Sequence, residues 1–363
     1  MSKRSSIVLG ADMATYHVDE VDGRLLNIMQ DDFPLVERPF AQMGEAIGIS
    51  EQDAIDRTTA LRKGQIIRQI SAIFDTRSLG YKSSLVAFNV APDKLTEAVR
   101  AINQHPGVSH NYERNHEYNV WFTIAVPPEG DTETDVSLLA AETGAKYRML
   151  PTLTLYKIGV KLDMTGTMDA AATSDDKGFR SPVTEEAVAL TTSERAFVRE
   201  MQQHIEYVPE PFAGPAAAAG VSQAELFAMA ADMTERKMLR RFAAILRHQK
   251  AGYRVNGMGV WAVDPAKADA AGDVMSEFRN ISHCYLRPTY PDWPYNVFSM
   301  IHGKSKEDCE AVAKAVQERT GIEEYTMLYS TREFKKTRVE YFTDDYDRWV
   351  SKHRPGSADA AAS

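Results

Sequence analysis

Histidine, tyrosine and arginine alternate along two segments of the chain, a pattern that could serve proton transfer beside a bound anion. The two rows are His110-Tyr112-Arg114 and His283-Tyr285-Arg287. Alternate residues of a β-strand face the same side, so each row predicts one face with an imidazole, a hydroxyl and a guanidinium. An imidazole titrates near neutral pH, and a guanidinium binds carboxylates, often through two parallel hydrogen bonds. The alternative is a polar sheet edge that packs against another domain.

Two further histidines lie in contrasting settings. His116 belongs to an aromatic segment with Tyr118 and Trp121, which could form the wall of a pocket. His248 lies in the most basic part of the chain, residues 235–254, where seven Lys or Arg accompany one Glu for a local charge of +6. Because the whole chain carries −9, this cluster suits a polyanionic small ligand better than a long nucleic acid. A solvated surface is the alternative.

The chain shows no motif of a nucleotide-, flavin- or metal-dependent enzyme. It has no HExxH, CxxC, EF-hand loop or Gly-rich phosphate loop, and a Ser-His-Asp arrangement cannot be assembled with any specificity. Cys284 and Cys309 are its only cysteines, too few for a disulfide framework or a cysteine-built metal site. We therefore expect chemistry that needs neither a cofactor nor a metal of the protein's own.

Length and composition set wide bounds. A chain of 363 residues, 44% hydrophobic and 26% charged, is typical of a globular protein of about two domains. No apolar run is long enough for a membrane span. The N-terminus offers only Ile7-Val8-Leu9 as an apolar stretch, too short for a secretory signal, so we expect a cytoplasmic protein.

The chain contains an internal duplication. Shifted by 172 positions, Pro39–Ala41 falls on Pro211–Ala213, and with two small insertions the match continues until Val120 falls on Val297. We infer that one ancestral domain was duplicated and fused. The two copies are expected to pair as an intramolecular pseudo-dimer.

Each repeat predicts an α+β fold in two parts. Three short helices followed by a hairpin-like β-wing, at Ile66–Ile70 and Ala72–Phe74 in the first repeat, indicate a winged helix-turn-helix. The order βαββαβ then predicts a ferredoxin-like antiparallel sheet with helices on one face. The predicted boundaries are 20–82 and 187–253 for the winged helix-turn-helix domains, 83–164 and 254–350 for the ferredoxin-like domains, 165–186 for a solvated linker and 351–363 for a disordered tail.

Five longer strings resemble a known family. They are FPLVERPF (33–40), FDTRSLGY (74–81), GVSHNYERNHEYNVWFT (107–123), RHQKAGYRVNGMGVW (247–261) and ISHCYLRPTYPDWPYNVFSMIHG (281–303). In this order they resemble the siroheme decarboxylases of the heme d1 and alternative heme pathways, which are related to the Lrp/AsnC transcription regulators. Two homologous subunits pair in that family and some members fuse them, which is what the duplication looks like.

The resemblance implies a carboxy-lyase that removes the acetate carboxyls at C12 and C18 of siroheme to give 12,18-didecarboxysiroheme. The iron belongs to the substrate, and no cofactor is implied. Siroheme and its product are the expected partners, while heme, related subunits and a second copy of the chain remain open. An imidazolium could protonate the ring, so that the electrons left by departing CO2 have a sink.

The resemblance and the residue types together give the candidate site. For the proton donor or the contact to the substrate iron we expect first His116 and His248, then His110 and His283. The expected carboxylate binders are Arg240, Arg247, Arg114 and Arg287, and the expected pocket lining is Tyr112, Tyr118, Tyr253, Trp121 and Asn256. The first repeat has Asp75-Thr76 where the second has Arg247-His248, so we expect one good site per chain.

Two other functions stay open, an Lrp/AsnC-like DNA-binding regulator and a non-catalytic heme or tetrapyrrole sensor. A recognition helix should present basic or amide side chains to DNA. Residues 222–237 include seven alanine, leucine or methionine residues and have basic residues only at their end, and residues 50–63 mix three acids with three bases. We therefore do not expect DNA as a partner, whereas only turnover separates a sensor from an enzyme.

Overall fold

The computed structural model describes residues 17–31, 33–158, 173, 181–182, 189–247 and 255–354. They form two compact units, each built from both repeats. The HTH unit combines Met1–Tyr81, Ala187–Gln249 and Glu340–Thr343, and the sheet unit combines Lys82–Glu186, Lys250–Val339 and Asp344–Ser363. The like domains of the two repeats thus share one body, as a pseudo-dimer requires.

The two repeats contain matching elements in the same order. The first repeat has α1 (Glu20–Asp31), α2 (Pro39–Ile47), α3 (Glu51–Lys63), β1 (Ile67–Phe74), β2 (Lys82–Asn89), α4 (Leu95–Gln104), β3 (Val108–Arg114), β4 (Val120–Val126), α5 (Thr132–Thr143), β5 (Lys146–Leu150) and β6 (Thr154–Ile158). After β7 (Ser181–Pro182), the second repeat has α6 (Thr192–Met201), α7 (Ala213–Ala219), α8 (Gln223–Glu235), β8 (Leu239–Leu246), β9 (Val255–Trp261), α9 (Ala268–Glu277), β10 (Ile281–Leu286), β11 (Val297–Gly303), α10 (Lys306–Thr320), β12 (Tyr325–Lys336) and α11 (Asp345–His353). None of the helices in these described ranges has the length and apolarity to cross a membrane.

A serine N-cap and a left-handed glycine form the turn between the second and third helix of each repeat. Ser50 caps α3 by accepting a hydrogen bond from the Asp53 amide, and Ser222 caps α8 through a reciprocal capping box. Gly48 and Gly220 end the preceding helices at φ +80° and +73°, a left-handed conformation that favours glycine. The predicted helix-turn-helix is thus present in both repeats.

The predicted wing is wrong in one respect. Instead of folding into a hairpin, Ile67–Phe74 forms the single strand β1, which pairs antiparallel with β8 of the other repeat around Ser71 opposite Ala243. Ser71 is fully buried, and the segment contains no residue that favours a two-residue turn. An unbroken strand therefore pairs with its counterpart in the other repeat.

The sheet unit contains one ten-stranded sheet in the order β5-β2-β4-β3-β12-β9-β11-β10-β6-β7. Four strands of each repeat form the predicted ferredoxin-like sheet, and the end of each repeat then continues onto the other. The far half of β12 pairs with β3, placing Ser330 opposite Arg114, while β6 pairs with β10, placing Thr154 opposite Leu286. Each repeat therefore extends the other's sheet.

Three buried clusters stabilise the sheet unit. Two lie between a sheet and its own helices, one in each repeat. The third draws on both repeats and includes Trp121, Trp293 and Phe298. Tyr112 pairs with Trp121, and Tyr285 pairs with Phe298. Because opposite residues of antiparallel strands face the same side, both His-Tyr-Arg rows lie on the face of this shared cluster.

Two predicted boundaries need correction. The helix α11 runs to His353, so the tail does not begin at 351; Trp349 on this helix is 6% exposed and packs into the core of the first repeat. Tyr346 and Val350 of the same helix pack against this core beside the indole. In the predicted linker, Ser181 and Pro182 pair with β6, so this part of the segment belongs to the sheet.

Candidate active site

The row His283-Tyr285-Arg287, hereafter the β10 row, has the predicted common face. The imidazole and phenol rings stack at 6.0 Å between centroids, and the Arg287 guanidinium lies 4.9 Å from the centroid of the Tyr285 ring. All three side chains are buried or half-buried. The strand period alone brings these three groups together.

The row His110-Tyr112-Arg114, hereafter the β3 row, repeats this geometry. Its rings stack at 6.3 Å, and the guanidinium lies 5.8 Å from the phenol centroid. The two rows differ at the sheet edge. Tyr112 pairs with Glu333 and His110 with Lys336 on β12, whereas the β10 row borders the mainly apolar strand β6. The β3 row therefore has charged neighbours that the β10 row lacks.

The arginines at the ends of the rows are buried, with 7% of Arg114 and 8% of Arg287 exposed. Arg114 donates from Nη1 to the Leu328 carbonyl at 2.9 Å, and Arg287 donates from Nη1 to the Leu150 carbonyl. Burial lowers the pKa of Arg114 to about 10. Each arginine thus ties its row to the other repeat and uses part of its donor capacity on the protein. Carboxylate binding by this pair stays a prediction.

Hydroxyl groups lie directly behind both row histidines. In the first repeat, Ser109 Oγ lies 3.0 Å from His110 Nδ1 and 2.8 Å from Thr123 Oγ1. In the second repeat, Ser282 Oγ lies 2.7 Å from His283 Nδ1 and 2.6 Å from His302 Nε2. The chain of contacts continues from His302 Nδ1 to Asn256 Oδ1 at 2.8 Å.

Burial lowers the pKa of the histidines around these rows. This holds for His110, His116 and His283, and burial together with the nearby His283 lowers the pKa of His302 to about 4. At neutral pH these rings are therefore mostly uncharged in the ligand-free protein. A bound polyanion would favour the protonated forms, because opposite charge raises the pKa of an imidazole.

His116 sits on an aromatic wall in the first repeat. Its ring lies 5.3 Å from Trp293, which in turn lies 5.4 Å from Trp121. The backbone N–H of Tyr118 donates to His116 Nδ1 at 3.0 Å. A neutral imidazole that accepts at Nδ1 carries its hydrogen on Nε2. This geometry favours His116 as a hydrogen-bond donor and disfavours it as a ligand to iron.

Three residues that the sequence did not single out, Arg148, Asp292 and Trp293, complete this wall. Tyr118 donates its hydroxyl hydrogen to Asp292 at 2.9 Å, and Arg148 binds Asp292 through two bonds of 2.8 and 2.6 Å. Burial and the Asp292 carboxylate raise the pKa of Tyr118 to about 12. Asp292 and Trp293 lie in a proline-rich insertion of the second repeat, between β10 and β11. Only the greater length of this loop relative to the β3–β4 loop could have pointed to them.

The wall continues from His116 to the β10 row. Trp293 lies 6.2 Å from Phe298, and the Arg287 guanidinium lies 5.3 Å from the Phe298 ring. Contacts therefore run from a histidine of the first repeat to a row of the second. Trp121, Trp293 and Phe298 are buried in the shared cluster, so they pack behind His116 and the β10 row. The half-buried rings of the row, with the buried guanidinium beside them, are the groups that suit a planar anionic ligand.

The remaining predicted residues lie in the HTH unit or outside the described residues, and their role in the site stays a prediction. Arg240 and Arg247 lie in the HTH unit, where Arg240 pairs with Asp75 and Arg247 Nη1 donates to Gln65 at 2.7 Å. Asp75, the first-repeat counterpart of Arg247, is thus the partner of Arg240. His248 and Tyr253 lie outside the described residues.

Two further observations concern metals and DNA. Among the described residues, no group of three or more His, Cys, Asp or Glu could hold a metal ion. On α3, Arg57 contacts the carboxylates of Asp19, Asp22 and Asp53 within 3.3 Å. An arginine shared among three acids has little net charge to offer a phosphate backbone.

Comparison with known proteins places this arrangement in a family. Residues 22–68 match the siroheme decarboxylase NirDL-like HTH domain, and residues 78–157 and 250–335 match the AsnC-like ligand-binding domain. The siroheme decarboxylase of Hydrogenobacter thermophilus is 38% identical over 91% of this chain and 97% of its own length.

Two further relatives bear on the duplication and on the fold. The siroheme decarboxylase beta subunit of Methanosarcina barkeri is 43% identical over 38% of this chain and 91% of the subunit, so one repeat corresponds to one subunit. A crystal structure of the siroheme decarboxylase NirDL in complex with an iron-uroporphyrin III analogue matches with a TM-score of 0.75 and 33% identity, covering 92% of this chain and 98% of that one. The chain belongs to the siroheme decarboxylase family, whose members are carboxy-lyases.

Proposed function

We propose that this protein removes the acetate carboxyls at C12 and C18 of siroheme and releases 12,18-didecarboxysiroheme and CO2. The observation that carries the proposal is the β10 row, whose half-buried imidazole and phenol rings stack beside the buried Arg287 guanidinium. Siroheme is a flat ring with eight carboxylates, which matches such a surface. The iron-porphyrin analogue bound by the NirDL homologue supports the same ligand class.

The reaction balances with one proton for each carboxylate. A proton added to a ring carbon makes the pyrrole an electron sink. The bond between the acetate methylene and the carboxylate then breaks, CO2 leaves, and its electron pair enters the ring. The methylene takes up one proton to become a methyl group, and the ring loses the proton it first received. No electron is gained or lost overall, so the step needs no oxidant.

The hydrogen bonds of the histidines divide their roles. A histidine that carries protons must be held in both protonation states. His283 and His110 meet this requirement, because a protonated Nδ1 can donate to the serine hydroxyl behind it. His116 does not, because protonation at Nδ1 would end the bond from the Tyr118 amide. In this proposal His116 orients the substrate through Nε2–H, while a row histidine transfers the proton.

The test is anaerobic incubation of the purified protein with siroheme, followed by mass spectrometry. We expect loss of two CO2 from the wild type and retained activity in His17→Ala, an exposed histidine of the HTH unit. His116→Ala should mainly raise KM, because it removes a binding contact. Loss of a single CO2 would contradict the double reaction and indicate that a related subunit is required.

Other outcomes would favour the other functions. Binding of siroheme without any loss of CO2 would indicate a tetrapyrrole sensor or carrier. Salt-sensitive binding to promoter DNA that responds to siroheme would indicate a regulator.

A further inference from the structure

One chain of hydrogen bonds crosses three adjacent strands of the second repeat. It runs from His283 on β10 through Ser282 to His302 on β11 and ends at Asn256 on β9, with distances of 2.7, 2.6 and 2.8 Å. Ser282 is fully buried, and the two histidines are half-buried. Apart from the two imidazoles, the nearest acceptor for the Ser282 hydroxyl is the Met300 carbonyl, at 3.5 Å. The hydroxyl hydrogen therefore points to one of the two imidazoles, and the end of the chain decides which.

The position of each hydrogen follows from the end of the chain. Asn256 Oδ1 can only accept, so the hydrogen of neutral His302 lies on Nδ1 and its Nε2 has a lone pair. That lone pair accepts the hydroxyl hydrogen of Ser282. The Ser282 oxygen then accepts from His283, whose hydrogen must lie on Nδ1. The lone pair of neutral His283 consequently lies on Nε2.

Burial supports this order of bonds. It keeps the pKa of His302 at about 4, so His302 remains neutral and its Nε2 remains an acceptor at working pH. A protonated His302 would donate from both nitrogens and would turn the serine hydroxyl toward another acceptor. The chain thus depends on the low exposure of a histidine that does not belong to either His-Tyr-Arg row.

We propose that Ser282, His302 and Asn256 are positioning residues that hold His283 in its Nδ1–H tautomer and keep Nε2 available to accept and return the reaction proton. This inference rests on the proposed function and assigns the proton-transfer step to the second repeat. The fixed tautomer removes the need to move a hydrogen between ring nitrogens before each turnover. It also keeps the ring oriented in the charged state, since Nδ1–H bonds the hydroxyl in both states.

The first repeat lacks the end of this chain. Strand register places Ala125 of β4, opposite Ser83 of β2, where the second repeat has His302 opposite Asn256. Behind His110 the bonds stop at the Thr123 hydroxyl, which can donate or accept. Either tautomer of His110 is therefore compatible with its neighbours, and only the second repeat fixes the proton.

The primary test is nitrogen NMR of the histidine rings in the full-length, siroheme-free protein, with the His283 signals assigned by their loss in His283→Gln. We expect a single Nδ1–H tautomer in the wild type and in Asn256→Asp, which keeps an acceptor at the end of the chain. Ser282→Ala and His302→Ala should shift His283 toward the Nε2–H form. Thr123→Ala, the matched change in the first repeat, should leave the His283 signals in place.

Turnover supplies the second readout. Ser282→Ala and His302→Ala should lower kcat for siroheme by about 10–100-fold, the range for residues that orient a functional imidazole, with KM unchanged. Unaltered His283 tautomers in both variants would overturn the inference, and so would an altered tautomer with full kcat. If the wild type shows the fixed tautomer but releases no CO2, the proposed reaction fails while the hydrogen-bond assignment stands.

Discussion

The β3 row and the β10 row are two copies of one structure that differ in what lies behind them. Both place a histidine, a tyrosine and an arginine on one face, and both arginines reach a carbonyl of the other repeat. A difference lies behind the row histidines. Ser109 and Thr123 lie behind His110, whereas Ser282 and a second histidine, His302, lie behind His283.

This comparison shows where duplicated sites diverge. The groups that would face a ligand are the same in both rows, while the groups that set their protonation are not. A serine hydroxyl can pass the preference of its other partner on to the imidazole, so that partner decides the tautomer. Two rows of identical residues can therefore differ in chemistry through the groups behind them, in addition to the charged strand edge beside the β3 row.

The sharpest test of the comparison replaces the row histidines one at a time. His283→Ala should lower kcat for siroheme decarboxylation by about 10²–10⁴-fold, the range for loss of a general acid–base group. His110→Ala should lower kcat by less than about tenfold, because its tautomer is not fixed. Mass-resolved time courses measure both, with thermal melts as the control for folding. Equal losses in the two variants would mean that both rows transfer protons.

The helix sides of the two repeats also differ, and this predicts the largest effect on stability. In the first repeat, Asp135 is fully buried and accepts from His105 at 3.3 Å, from Tyr346 at 2.8 Å and from Arg354. The second repeat has Phe278 at the position of His105. Asp135→Ala should reduce the free energy of unfolding by about 3–5 kcal/mol, because three donors lose one buried acceptor.

Denaturant unfolding measures this difference, with the exposed Asp344→Ala as the matched control. Asp344 has 81% of its side chain accessible, and its replacement should change stability by less than about 0.5 kcal/mol. A cost below about 1 kcal/mol for Asp135→Ala would show that this cluster does not hold the C-terminal helix in place.

These differences mark the limit of what the sequence could predict. Period-two alternation correctly grouped both rows, and the β3 row lies on the strand Val108–Arg114. The wing was wrong because a local pattern cannot show whether a strand pairs with its neighbour in the chain or with the other repeat. Pairing of this kind depends on the folded arrangement of both repeats.

The site shows the same limit. The sequence alone does not single out His302, because its contacts depend on the pairing of β9, β11 and β10, which are separated along the chain by helices and loops. Trp293 reaches His116 only through an insertion in the other repeat. Pocket residues within one strand were predictable, and contacts between repeats were not.

The strand β6, which the first repeat adds to the sheet of the second, packs closely on α9. Disturbing this contact should have a smaller effect on the free energy of unfolding. Tyr156 on β6 lies over Gly272 of α9 and donates its hydroxyl hydrogen to Asp269 at 2.7 Å. A Cβ at Gly272 would lie 2.4 Å from the phenol ring. Gly272→Ala should therefore cost about 1–3 kcal/mol of stability, as overpacking does.

The control is Gly23→Ala on α1, where a Cβ meets nothing within 4 Å. Alanine favours a helix by about 0.5–1 kcal/mol over glycine, so this variant should be as stable as the wild type or more so. Thermal melts of the two variants decide the matter. Equal melting temperatures would show that β6 can move away from α9 at no cost.

The smallest expected effect concerns the loops that connect the second and third strands of each ferredoxin-like sheet. In the loop of the second repeat, the Asp292 carboxylate bonds Tyr118 directly; its side chain is half-exposed, so its pairing with Arg148 should add little to stability. Its charge should matter more for Tyr118, since burial first and the Asp292 carboxylate next raise the phenol pKa to about 12. Asp292→Asn should lower that pKa toward the ordinary value while leaving stability nearly unchanged.

Ultraviolet titration of the phenols measures the shift, and Tyr147, whose pKa of about 12 depends on burial and Glu133, should titrate as before. If Tyr118 keeps its pKa in the variant, the Asp292 carboxylate does not set it, and the insertion contributes its tryptophan rather than its charge.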